Sequence, residues 1–271
     1  MKIVAIVQAR MGSSRLPNKV LMDLGGATVL DRVLNRLRRA QLIGDVVVAT
    51  TTGLQDQAIV EHCASSGSAV FRGSEEDVLD RYYYAAQQAD ADVIVRITSD
   101  CPVIDPEVTD ATIQAFLDQQ ADYASNVLER SYPRGLDTEV VRFKTLQHAW
   151  QEAREPYQRE HVTPYIYENP LKFKLHGIKQ DVDCSHHRWT LDTTDDLKFL
   201  RALYASLGNR DDFSWLDALR IVNQRPERAD VNSRSDDVAG SLLGGRQHGH
   251  RPRNGSLVCG AVHRSTLVFR A

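Results

Sequence analysis

The chain has 271 residues, 42% of them apolar and 25% charged, and a formal net charge of −3. These values fit one globular domain, alone or with an arm, and exclude the strongly basic surface of a nucleic-acid partner. No run approaches the roughly 18 to 20 apolar residues of a membrane span, and the N-terminal apolar stretch is too short for a secretory signal.

In chain order, residues 3–7 are an apolar run of strand length. The loop behind them carries Arg10, Arg15 and Lys19 with Gly12, two serines and a proline, and no acid. A cationic loop at the carboxyl end of a first parallel strand is where an α/β sheet receives an anionic ligand. Three cations within ten residues suit a triphosphate. Neither the Walker A pattern nor the dinucleotide G-x-G-x-x-G pattern occurs there. Residues 29–40 have helical spacing, with arginines on the face away from the apolar stripe. Then come a strand at 46–50, a helix at 55–65 ended by Gly67, and a short strand at 69–71. Ser74 reads as the cap of a helix running to about residue 88, with Glu75, Glu76 and Asp77 in its first turn. Residues 93–97 form another apolar strand, which stops at Thr98-Ser99-Asp100-Cys101-Pro102. A helix follows at 106–119 with Pro106 at its start. Short apolar strands between helices predict an α/β fold with a mostly parallel sheet flanked by helices. The loops 9–19 and 98–102 then share one edge of the sheet.

After residue 120 the rhythm changes. Residues 123–143 read as two extended segments around Tyr132-Pro133-Arg134-Gly135, a β-arm rather than another βαβ unit. Helices are expected at 144–154 and 159–168, strands at 173–178 and 188–191, a helix at 195–207 capped by Thr193 or Thr194, and a last helix at 215–222. Beyond about residue 235 periodicity fails. Residues 235–271 are expected to be a disordered tail or a foreign end outside a domain at 1–234. From Val238 onward there are five arginines and no acid, so the body is more acidic than the total charge indicates.

Asp100 directly follows a strand, and Asp192 sits between a strand end and a helix start. Each can offer a carboxylate to a hard divalent cation, with phosphate oxygens and water completing the shell. Turn and cap roles are the simpler explanations of each alone. Asp181-Val182-Asp183 is a literal D-x-D in a polar stretch. Adjacent His186 and His187 would face opposite sides of a strand, which argues against a shared zinc. His161 and Tyr165 are four apart and would share a helix face, as pocket or as packing residues. The cysteines 63, 101, 184 and 259 form no C-x-x-C pair. They read as small buried hydrophobes in a reducing compartment.

The segment from Val7 to Leu21, Gln8-Ala9-Arg10-Met11-Gly12-Ser13-Ser14-Arg15-Leu16-Pro17-Asn18-Lys19 at its heart, resembles the opening motif of the CMP-sugar synthetases. These are the cytidylyltransferases that activate sialic acid and KDO. The likeness is closer to the spore coat polysaccharide biosynthesis protein F branch. Its further motifs are Gly73-Ser74-Glu75-Glu76-Asp77, Arg96-Ile97-Thr98-Ser99-Asp100, Tyr132-Pro133-Arg134-Gly135, Arg159-Glu160-His161 and Arg188-Trp189-Thr190-Leu191-Asp192-Thr193. The likeness covers about residues 1 to 232. It implies a nucleotide-diphospho-sugar transferase fold, Rossmann-like, with a protruding dimerisation arm near 123–143, and so a homodimer. It implies CTP as co-substrate, Mg²⁺ as cofactor, and a cytoplasmic enzyme making a surface glycan or spore coat precursor. By motif position Arg10, Arg15 and Lys19 hold the triphosphate, with Ala9, Met11 and Gly12 in the same loop. Ser74 and Arg81 approach the nucleotide. Asp100 and Asp192 hold the metal, and Arg15, Lys19 and Asp100 serve catalysis. Thr98 replaces a glutamine of the KDO enzymes, so that contact does not carry over. The resemblance implies an acidic sugar or a phosphonate-type acceptor; in the acceptor half this chain has Asp137, Glu139 and His161 in place of the residues of the sialic acid and KDO enzymes, so the likeness carries the reaction and leaves the sugar open. Two alternatives stand beside this reading. One is a metal-dependent glycosyltransferase using Asp181 and Asp183. The other is a non-catalytic nucleotide-sugar binding subunit.

Overall fold

Strands and helices alternate through the first half of the chain, as the apolar spacing predicts. The elements are β1 (Ile3–Gln8), α1 (Val29–Leu37), β2 (Asp45–Thr51), α2 (Gln57–Ser65), β3 (Ala69–Gly73), α3 (Val78–Gln88), β4 (Val93–Thr98) and α4 (Pro106–Asp118). The second half adds β5 (Tyr123–Ser125), β6 (Glu139–Arg142), α5 (Phe143–Glu152), α6 (Pro156–His161), α7 (Pro164–Tyr167), β7 (Leu175–Gly177), α8 (Thr194–Ser206) and α9 (Trp215–Gln224). The computed structural model describes residues 1–224. The tail expected at 235–271 lies outside the described residues.

The seven strands form one sheet in the order β3-β2-β1-β4-β6-β5-β7. β1 runs parallel to β2 and β4, with Ala5 opposite Val46 on one side and Val95 on the other. β6 alone runs against its neighbours β4 and β5. The sheet is therefore mixed and mostly parallel. Alternate residues of β1 serve opposite cores, as a strand's two-residue period requires. Ala5 and Val7 pack with Leu30, Val33 and Leu37 of α1 and Phe116 of α4. Val4 and Ile6 pack on the other face with Leu79, Tyr82 and Ala86 of α3 and Leu146 of α5.

Local signals explain the helix starts. Thr28 and Asp31 form a reciprocal capping box at α1. Asp105 caps α4 by accepting from the Glu107 and Val108 N–H groups, and Pro106 follows it. α3 begins later than expected. Its cap is Asp77, which accepts from the Asp80 N–H, while Ser74 Oγ accepts from the Asp77 N–H three residues earlier.

Four expectations need correction. The segment 123–143 does not protrude as an arm: β5 and β6 are interior strands of the sheet, with Tyr123, Ala124 and Val140 fully buried. Their apolar residues can be covered only inside the layers. The helix expected at 159–168 is two short helices, broken at Val162, whose φ is +74°. Residues 188–191 make only a single bridge, Arg188 to Arg134, instead of a strand. Finally, Arg32 and Arg36 of α1 do not face solvent. Their guanidinium groups donate to backbone carbonyls, among them those of Leu24, Asn209, Ile104 and Phe213, and lie buried under the α8–α9 connection.

Candidate functional site

The strand order reverses at β1: β2 and β3 are added on one side, β4 on the other. A parallel sheet opens a crevice at that point, beyond the carboxyl ends of its strands. The 9–19 and 98–102 loops meet there, around a cavity of about 570 Å³.

The first loop is held by its own backbone. The N–H groups of Ser13 and Asn18 both donate to the Met11 carbonyl, at 2.9 and 3.0 Å. Asn18 takes the left-handed conformation, φ +62°, just before a tight turn at Lys19–Leu21. Beneath the loop, fully buried Asp56 accepts from the Met11 N–H at 2.7 Å, and its other oxygen is bound by Thr51 Oγ1. The place of Asp56 before α2 carries no chemical signal in the sequence.

The loop's cations differ in environment. Arg10 and Arg15 are exposed at the cavity wall. Lys19 points inward and uses all three of its donors: Asp100 Oδ2 at 3.2 Å, Asp192 Oδ1 at 3.0 Å and the Leu191 carbonyl at 2.7 Å. Arg15 Nη2 also reaches Asp192 Oδ1, at 3.0 Å. Two carboxylates 92 positions apart thus share one ammonium group. Burial works against charge on Lys19, but Asp100 and Asp192 outweigh it and its pKa is raised. Burial likewise opposes ionisation of Asp100, yet Lys19 and hydrogen bonds from Thr98 and Cys101 hold its pKa below the usual range. A backbone bond, Leu191 N–H to Asp100 carbonyl at 2.8 Å, ties the two acid-bearing loops together.

Asp100 and Asp192 fit a hard divalent cation in charge and donor type. No group of three or more His, Cys, Asp or Glu side chains gathers for a metal among the described residues. Phosphate oxygens and water would therefore have to complete the shell, as is usual for Mg²⁺. The cavity lining carries four cationic and five acidic side chains. A triphosphate entering it needs added positive charge.

On the β3 side, Arg81 is buried at the cavity wall. Its Nη1 donates to the Ser74 carbonyl at 2.6 Å, and its Nε has no partner among the described residues. Ser74 itself holds the turn rather than lining the cavity, and Met11 and Gly12 also lie off its wall. Arg159, on α6, clamps Asp77 with two N–H groups at 2.9 and 2.6 Å, so α6 is pinned to the start of α3.

A second cavity of about 480 Å³ adjoins the first; Thr98 and His161 line both. Asp137, Glu139 and His161 all line it, so the acceptor-half residues come together. Their settings are unequal. Asp137 is paired with Arg130 through two hydrogen bonds of 2.6 and 3.0 Å. Glu139 is buried, takes Tyr123 and Thr163 hydroxyls on one oxygen and Arg96 on the other, and so supports the wall. Tyr165 stacks on His148 instead of sharing a face with His161. Asp181 and Asp183 are exposed and line neither cavity. His186 and His187 pack ring to ring, 4.1 Å between centroids, because their segment is not a strand. Cys63, Cys101 and Cys184 are buried, as read from the sequence, and Cys259 lies outside the described residues.

Fold and site together define an α/β protein with a cationic loop after the first strand, facing a cavity at the switch point of its sheet. A model of the cytidylyltransferase family matches residues 4–208, and the chain belongs to that family. The spore coat polysaccharide biosynthesis protein SpsF of Bacillus subtilis is 36% identical over 84% of this chain and 96% of its own length. Protein MJ1063 of Methanocaldococcus jannaschii is 43% identical over 86% of this chain and 95% of its own. A solved cytidylyltransferase structure from Leptospira borgpetersenii superposes with a TM-score of 0.81 at 36% identity, covering 84% of this chain and 97% of that one. The resemblance read from the motifs therefore holds along nearly the whole described chain, and the reaction class is CTP-using nucleotidyl transfer.

Proposed function

We propose that this protein transfers CMP from CTP to an acidic sugar or a related phosphonate-type acceptor, with release of pyrophosphate, in the making of a surface polysaccharide. The observation that carries the reading is the convergence of Lys19, Asp100 and Asp192 at the sheet's switch point, next to a second cavity of sugar size. CTP lies in the first cavity and the acceptor in the second. An acceptor oxygen attacks the α-phosphorus, and pyrophosphate leaves in line. The chain's work is positioning and charge neutralisation, as in other phosphoryl-type transfers. Arg10, Arg15 and Lys19 hold the triphosphate and offset charge on the leaving pyrophosphate. Asp100 and Asp192 would hold Mg²⁺, which would supply Lewis-acid neutralisation of phosphate charge. Asp137 and His161 contact the acceptor, and Glu139 holds their wall in place. The similarity to SpsF supports a polysaccharide precursor as the product. A homodimer and a cytoplasmic location belong to the same reading.

The glycosyltransferase alternative would need Asp181 and Asp183 at the site, and both lie away from the two cavities. The deciding experiment is pyrophosphate release from CTP, UTP, GTP, ATP and dTTP with Mg²⁺ and a panel of acidic sugars and phosphonates. Release from CTP that depends on one acceptor is the expected result. Release from another nucleotide in preference to CTP, or no release alongside UDP or GDP formed from a nucleotide sugar in a parallel arm, would overturn it.

A further inference from the structure

Asp192 is held by more than a helix cap. Asp196, in the first turn of α8, is fully buried. Its Oδ2 accepts two backbone N–H groups, from Asp192 at 2.9 Å and Thr193 at 2.8 Å. A capping box accounts for the Thr193 contact alone. Its Oδ1 is bound by Arg188 Nη2. Arg188 Nη1 in turn lies 3.0 Å from Thr190 Oγ1 and 3.5 Å from Asp192 Oδ2.

The Asp192 carboxylate is thereby divided. Oδ2 faces Arg188, while Oδ1 faces Lys19 and Arg15 across the cavity. Burying an ion pair seldom gives net stability, because desolvation of both charges offsets their attraction. A buried pair directly beneath a site carboxylate is better explained by the geometry it imposes. Asp196 fixes the Asp192 backbone, and Arg188 fixes the rotation of its carboxylate.

We propose that Arg188 and Asp196 are positioning residues that hold Asp192 for a divalent cation in the nucleotide complex. The inference rests on the metal–nucleotide reading above. Neither residue lines either cavity. Their effect passes through Asp192, so it should appear in metal affinity and disappear when Asp192 cannot bind metal.

The test uses the full chain, CTP and Mn²⁺, with bound Mn²⁺ read by electron paramagnetic resonance. Arg188→Gln should weaken Mn²⁺ binding to the CTP complex about 10- to 100-fold, the usual cost of losing an outer partner of a metal ligand. It should leave CTP affinity measured in chelator unchanged. Arg188→Lys should recover part of the loss. On an Asp192→Asn background, Arg188→Gln should weaken Mn²⁺ no further. An equal loss on both backgrounds, or no loss on either, would overturn the proposal. If Arg188→Gln does not fold, Asp196→Asn carries the same comparison with Arg188 intact. Wild-type protein that binds CTP but no Mn²⁺ would sink the metal reading and this inference with it. Wild-type protein that binds no CTP would instead sink the nucleotide reading itself.

Discussion

Lys19 holds two carboxylates together with an ammonium group, and the same ammonium is the natural partner of a triphosphate. It cannot serve both fully, because its three donors are already used. This has consequences of opposite sign for metal and nucleotide. Lys19→Met should weaken CTP binding, measured by calorimetry, yet tighten Mn²⁺ binding to the nucleotide-free chain. Unchanged Mn²⁺ affinity would show that the ammonium does not compete for Asp100 and Asp192. Asp100→Asn keeps the side chain's size but loses its charge. Turnover, followed as pyrophosphate release with Mg²⁺, should fall about 100-fold or more, in the range seen when one preorganised electrostatic contact is lost. Near-normal turnover would remove Asp100 from the metal assignment. Lys19, Asp100 and Asp192 were legible because each sits in a loop that directly follows a strand or opens a helix. Asp56, Arg188 and Asp196 were not, because their partners are backbone groups and side chains that only folding brings near.

At the scale of elements, amphipathic spacing placed the helices well and failed where polar groups are buried. α1 shows the reason. Its Arg32 and Arg36 read as a solvent face, but the 209–213 connection supplies carbonyls that satisfy their N–H groups, and Phe213 lies 3.8 Å from the Arg36 guanidinium carbon. A sequence window of one helix holds none of those partners. The β5–β6 sequence predicts extended segments, and both ends of the 123–143 stretch are strands. Its place inside the sheet depends on pairing with β4 and β7, elements far away in the chain. The turn between them is fitted against the 187–189 segment: the Arg134 N–H donates to the His187 carbonyl, and the Trp189 N–H donates to the Arg134 carbonyl. Gly135 sits at φ +105°, and an added Cβ would lie 3.0 Å from the Trp189 backbone. Gly135→Ala should therefore destabilise the protein by about 2 kcal/mol, combining backbone strain with the close contact. The midpoint of urea unfolding measures this, and an unchanged midpoint would show that the turn can relax.

At the scale of the molecule, one buried imidazole adds to the loss of stability in acid. His187 is 8% exposed, and its Nε2 has no hydrogen-bond partner among the described residues. Burial, helped by His186, lowers its pKa to about 4. The unfolded chain takes up this proton near its ordinary value of about 6.5, whereas the folded chain does so only near 4. The stabilisation is complete above pH 6.5 and is lost as pH falls towards 4, by about 3 kcal/mol. His187→Gln should flatten the fall in melting temperature between pH 7 and pH 4.5, and an equally steep fall would place the titration elsewhere. The sequence by itself determined the parallel core and the cationic loop after β1, and its motifs carried the family resemblance that implies the reaction class, because strand period, helix caps and a contiguous motif are local properties. Only the tertiary structure decided that Lys19 bridges Asp100 and Asp192, that the expected arm is part of the sheet, and that Glu139 supports the wall of the second cavity. Those depend on which groups meet after collapse and on which buried charges find partners there, and neither is written in any one stretch of chain.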